Sequence, residues 1–271
     1  MVTGSIETKS RRPRMGTWVG VAFVTCAIVS TLWLANTMRT RGVREDTLRT
    51  THAVSVSDRN AVLEFWPAVS RHDSALIFFC GAAVSAQAYA PLLRPIAEVG
   101  YPVFVIKLPY RFAPLDSHRE AAIGRARSVL AAHPEVSRWI VAGHSLGGVL
   151  TARMVSTDPS MIAAMVLIGT THPKRDDLSA VRMPVTKVYA SNDGVVRRER
   201  VLATKALLPQ HTKWVEIRGG NHSQFGHYGH QLFDGNATIT REAQQQITRA
   251  ALVELLERND VIRSSTTTGR R

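Results

Sequence analysis

Two periodicities alternate along the chain. Segments Ala75–Phe79, Pro102–Ile106, Trp139–Ala142, Ile162–Ile168, Val185–Tyr189 and Lys213–Ile217 are short runs rich in apolar and β-branched residues, as buried strands require. Between them Ala86–Val99, Ser117–Ala132, Gly147–Ser156 and Glu199–Leu207 carry helical spacing, and Arg241–Glu257 closes the series. Gly100 and Pro134 supply helix stops. Ala53–Val56 and Ala61–Phe65, either side of Ser-Asp-Arg-Asn, predict a hairpin before the alternation begins. Parallel neighbours need crossover helices, so the pattern predicts an α/β protein. Its sheet is mostly parallel, of about eight strands, with helices on both faces.

A different pattern fills the N-terminal region. Met15–Met38 is a run of 24 residues without a charge. As a helix it would extend about 36 Å, enough for a hydrocarbon core of roughly 30 Å. Trp18 and Trp33 fall near its ends, and Lys9, Arg11, Arg12, Arg14, Arg39, Arg41 and Arg44 flank it. The expectation is one transmembrane signal anchor over 15–38, a single-pass location in the cell membrane and an extracytoplasmic body. A cleaved signal peptide is the alternative, although no good small-x-small site appears near Leu34–Thr37. Around the anchor the chain divides into a basic segment (1–14), a polar linker (39–52), one globular domain (53–258) and a disordered tail (259–271).

Composition changes this picture little. The 271 residues suit one medium domain with appendages. The net charge of +13 suggests nucleic acid at first sight, but +5 falls in residues 1–50 and +3 in 258–271. The body has no basic stripe interleaved with aromatics, so no nucleic acid is expected as a partner. Basic flanks beside an apolar run fit anionic lipid headgroups. Cys26 and Cys80 are not expected to pair, and no Cys/His spacing implies a metal; no cofactor is expected.

Candidate chemistry centres on Gly143-His144-Ser145-Leu146-Gly147, a G-x-S-x-G sequence between a strand and a helix. A serine on so sharp a turn needs small residues two before and two after, which Gly143 and Gly147 provide. A hydroxyl needs a base to take its proton. In this architecture an acid and then a histidine follow the serine. Asp193, just past Val185–Tyr189, and His222, just past Lys213–Ile217, stand in that order at the carboxyl ends of strands. Asp176 and Asp177 are rival acids; His227 and His230 are rival bases. His144 reads as a packing residue. Backbone donors for an oxyanion are expected at Leu146 and, in the loop after ALIFF, at Ala82, with Ala83 as the alternative.

These residues resemble the α/β-hydrolase superfamily over roughly 53–257. Within it the chain is most similar to compact, often membrane-anchored bacterial proteins related to dienelactone hydrolases. The matching stretches are 81–100 (GAAVSAQAYAPLLRPIAEVG), Lys107-Leu-Pro, GHSLGG, and 219–231 (GGNHSQFGHYGHQ) followed by Asp234-Gly. One departure is Cys80, where many members carry His. The resemblance implies an α/β-hydrolase fold and Ser145, Asp193 and His222 as a catalytic triad. Only about 14 residues separate Thr170 from Pro184, which leaves no room for a lid domain. The activity expected is serine-dependent hydrolysis of small carboxylic esters through an acyl-enzyme. The alternatives are acyl transfer by the same triad and an inactive binding module.

Overall fold

A computed structural model describes residues 15–69, 72–174 and 176–267. It divides into two compact units, one ending at Asn36 and one beginning at Thr37.

The larger unit is built on an eight-stranded sheet. Its strands are β1 (Val54–Asp58), β2 (Val62–Pro67), β3 (Ser74–Phe79), β4 (Val103–Ile106), β5 (Arg138–His144), β6 (Ile162–Ile168), β7 (Val185–Ala190) and β8 (Lys213–Ile217). They lie in the order β1-β2-β4-β3-β5-β6-β7-β8. The β1–β2 hairpin joins antiparallel, and β2 is antiparallel to β4; the other pairings are parallel. Every residue of β3, β4 and β7 is buried, as the continuous apolar runs require of strands covered on both faces.

The helices that follow are α1 (Met15–Thr37), α2 (Ala90–Glu98), α3 (Asp116–Ala132), α4 (Leu146–Thr157), α5 (Arg198–Leu202) and α6 (Arg241–Thr267). In the larger unit α2 packs with α6 and α3 with α4, a pair for each face of the sheet. The helix expected over 86–99 begins instead as a 3₁₀ turn at Ala86–Tyr89, with Pro91 in the first turn of α2. That expected over 199–207 is broken: α5 stops at Leu202, and a 3₁₀ turn takes Lys205–Leu207.

Of three N- and C-terminal expectations, the second and third below need correction. First, α1 covers most of the uncharged run, but Met38 is buried in the larger unit. Among the described residues no helix is long and apolar enough to cross a membrane. The anchor expectation therefore rests on sequence alone. Second, 39–52 is not a free linker. Thr40 bridges to Tyr228, Arg41 N–H donates to the His227 carbonyl at 2.8 Å, and Gly229 N–H donates to the Thr37 carbonyl at 2.8 Å. The Arg94 guanidinium then holds the carbonyls of Asp46, Thr47 and Arg49 and the Thr51 hydroxyl. Third, α6 continues to Thr267 through much of the expected tail. No Gly or Pro interrupts 258–267, and the Asp260 carboxylate pairs with His72 and accepts from Ser74. The basic segment 1–14 and residues 268–271 lie outside the described residues.

Candidate active site

The geometry at Ser145 follows from its neighbours. Its φ of 54° and ψ of −115° lie in a region that side chains other than glycine rarely adopt. Its N–H is held by the Ile168 carbonyl at 2.9 Å, and Gly148 N–H donates back to the Ser145 carbonyl. A methyl group on Gly143 would stand 2.2 Å from the Gly147 backbone, and one on Gly147 would stand 2.0 Å from the Phe79 carbonyl oxygen. Both glycines are therefore required by close backbone approach, as the spacing predicts. The tight turn leaves Ser145 partly exposed at the head of α4.

Strand order brings the second half of the site alongside. Because β3 pairs with β5, with Phe79 opposite Gly143, the loop after β3 lies against the turn that carries Ser145. Among the described residues no hydrogen bond engages the N–H of Ala82 or of Leu146. The neighbouring donors are committed. Gly81 N–H donates to the Tyr89 hydroxyl at 3.0 Å, and Ala83 N–H donates to the Arg111 carbonyl at 2.7 Å. That removes Ala83 as the alternative donor and leaves Ala82 and Leu146, both partly exposed. Burial pushes the Cys80 thiol up to about 12, so it stays protonated and is no competing nucleophile.

At the other edge β7 pairs with β8, Ala190 opposite Ile217, which sets the two following loops side by side. His222 Nδ1 meets Asp193 Oδ2 at 2.8 Å, and both side chains are only 1% exposed. The second oxygen of Asp193 accepts the Val196 N–H at 2.6 Å. Dry surroundings and a second hydrogen bond fix the carboxylate and so fix the imidazole ring.

Three of the rival residues are occupied elsewhere. Asp177 is exposed and caps the Ser179 N–H at 2.9 Å. His227 donates its backbone N–H to the Ala88 carbonyl, and its ring, held neutral by burial, lies under Gly42. His230 is exposed and its Nε2 lies 3.1 Å from the Asp234 carbonyl.

His144 is buried as expected, and it does more than fill space. Gly81 N–H donates to the Tyr89 oxygen, and the same hydroxyl is hydrogen-bonded to His144 Nδ1 at 2.9 Å. This chain ties the loop bearing Ala82 to the residue before Ser145. Burial first, and the nearby His222 second, hold the His144 ring well below the usual histidine range, hence neutral. Its centroid lies 4.6 Å from that of His222 and 5.2 Å from that of Phe225, so the two histidine rings pack together. The only sequence signal for Tyr89 was its place in the 81–100 stretch. Periodicity cannot reveal that its hydroxyl reaches back eight residues.

Over residues 75–246 the sequence matches the model of the alpha/beta hydrolase family. The chain belongs to the alpha/beta hydrolase family. Solved structures agree on the fold. A predicted CIB-like hydrolase from Thermoplasma acidophilum has a TM-score of 0.58 at 14% identity, over 73% of this chain and 98% of its own. Est1E from Butyrivibrio proteoclasticus has a TM-score of 0.52 at 13% identity, over 76% and 99%. A membrane phospholipase A described as a bacterial virulence factor has a TM-score of 0.59 at 13% identity, over 89% and 99%. No curated protein shows significant sequence similarity to this chain. In this alpha/beta hydrolase the connection from β6 to β7 holds no helix among the described residues, so no lid covers the Ser145 turn from there. Nor, among the described residues, is any group of three or more His, Cys, Asp and Glu side chains placed to hold a metal ion.

Proposed function

We propose that this alpha/beta hydrolase cleaves carboxylic esters through a Ser145–His222–Asp193 triad and an acyl-enzyme. The observation that carries the reading is the buried 2.8 Å contact between His222 Nδ1 and Asp193 Oδ2, on loops that flank the strained Ser145 turn. With Nδ1 engaged, His222 Nε2 is the nitrogen left to serve the hydroxyl.

Ser145 Oγ attacks the ester carbonyl carbon as His222 Nε2 takes the hydroxyl proton. The carbonyl π bond becomes an oxyanion, received by the N–H groups of Ala82 and Leu146. Asp193 holds the imidazolium in place. On collapse the C–O bond to the alcohol breaks, and His222 returns the proton to the leaving oxygen. Water then attacks the acyl-serine, His222 takes its proton, and the acid departs with Ser145 restored. The open approach beside Ser145 fits a small or extended ester.

The test is fluorophosphonate labelling of the full chain, with the modified peptide found by mass spectrometry. Labelling is expected at Ser145 and is expected to vanish in His222→Ala. On ester substrates Ser145→Ala should lose roughly four to six orders of magnitude in kcat. A folded protein that takes no label, or takes it elsewhere, overturns the triad.

We also propose that the apolar run over 15–38 attaches the protein to a membrane. The support is the uncharged length with its basic flanks. The full chain should stay with membranes through alkaline carbonate extraction, and a variant with Val24→Arg and Ile28→Arg should be released. Equal partitioning of the two sinks the proposal.

A further inference from the structure

We infer that Asp234, which the proposed triad does not use, is a positioning residue that locks the acid loop to the base loop; this rests on the triad reading above. One carboxylate gathers five hydrogen-bond donors. Its Oδ1 accepts the N–H of Gly194 at 3.2 Å, of His222 at 3.1 Å and of Gly235 at 2.9 Å. Its Oδ2 accepts the Ser223 N–H at 2.8 Å and the Ser223 hydroxyl at 2.7 Å. Gly194 is the neighbour of Asp193, and His222 and Ser223 carry the base and the residue after it. A single side chain thus spans both catalytic loops through their backbones.

Its place excludes a triad role for Asp234 itself. It meets the backbone of His222, whereas the ring of His222 faces Asp193.

The turn around Asp234 is wedged between the two loops it joins. A methyl group on Gly235 would stand 2.1 Å from the Asn192 carbonyl oxygen, and one on Gly194 would stand 2.2 Å from the Phe233 carbonyl oxygen. Asn192 Nδ2 donates to the Asn236 carbonyl, and Asn221 Nδ2 donates to the Gly235 carbonyl at 2.8 Å. Phe233 sits at a φ of 66°, in the left-handed region, with its side chain in solvent. Unfavourable backbone at an exposed phenylalanine persists because its neighbours are held on both sides.

Chemistry explains why the residue is a carboxylate. Five donors converge on two oxygens, and a carboxylate offers about four lone-pair sites with no donor of its own. An amide at the same position turns an NH₂ group toward donors on one side or the other.

The experiment follows fluorophosphonate labelling of Ser145 in the full chain as a function of probe concentration, comparing wild type, Asp234→Asn and Ser223→Ala. For Asp234→Asn the second-order rate constant should fall about 10- to 100-fold, the scale expected when reacting groups are misplaced by about 1 Å. The loss should fall on the maximal inactivation rate and leave the half-saturating probe concentration in place, since the carboxylate positions the reacting groups and does not touch the probe. Ser223→Ala removes one hydroxyl donor, and its rate should fall less, about threefold. A purely structural role would lower the unfolding midpoint and leave the rate unchanged in the folded protein; that result overturns the inference. If Asp234→Asn does not fold, Ser223→Ala decides, and a wild-type rate there overturns it. If labelling instead survives His222→Ala, the triad reading itself has failed, which is a separate outcome.

Discussion

At the scale of single residues, the chain tolerates polar groups in its interior where each serves a neighbour. Lys187 is one that the proposed chemistry does not use. It lies fully buried in β7, and its ammonium donates to the His172 carbonyl. Burial lowers its pKa to about 7. In the unfolded chain the amine keeps its proton up to about pH 10. Between those values the unfolded state binds more protons, so this residue makes stability rise as pH climbs from about 7 toward 10. Lys187→Met lacks that contribution. In denaturant unfolding, wild type should therefore gain on the variant across this window; a constant difference would refute the assignment. The glycines of the Ser145 turn lie at the opposite extreme of legibility. Gly143 and Gly147 were readable because a sharp turn demands small residues at fixed offsets from Ser145, and the close backbone approaches bear that out. Tyr89 and Asp234 were not readable as site residues, since their hydroxyl and carboxylate act on backbone groups that folding brings near.

At the scale of elements, alternation of apolar runs located the eight strands to within a few residues, because strands buried on both faces leave a continuous signature. Ends were less legible. The hairpin strands run to Asp58 and Pro67 through pairing with each other, which no local pattern encodes. The segment before the hairpin reads as a linker because it is polar. Its order comes from Arg94, a side chain of α2 that is 7% exposed and satisfies three backbone carbonyls. Arg94→Leu leaves those carbonyls without their cationic donor. The expected loss is roughly 2–3 kcal/mol of unfolding free energy, with new protease cleavage over 45–51. Unchanged stability and cleavage would show that other contacts hold the segment.

At the scale of the whole molecule, sequence by itself determined the class of fold, the serine on its turn, and the order of serine, acid and histidine along the chain. These are local in origin: a period of apolar residues, a turn too tight for side chains, a loop after each strand. Tertiary structure alone decided which of these elements meet. The strand order puts β3 beside β5, so the Ala82 loop faces Ser145, and β7 beside β8, so Asp193 reaches His222 across 29 positions of sequence. It also set which polar groups are engaged. Ala83 and Gly81 are spent on Arg111 and Tyr89, and His227 and His230 are drawn to other partners. Periodicity records how each segment buries its own apolar face. Which distant polar groups then satisfy one another depends on the order in which the strands assemble, and only the folded chain carries that information.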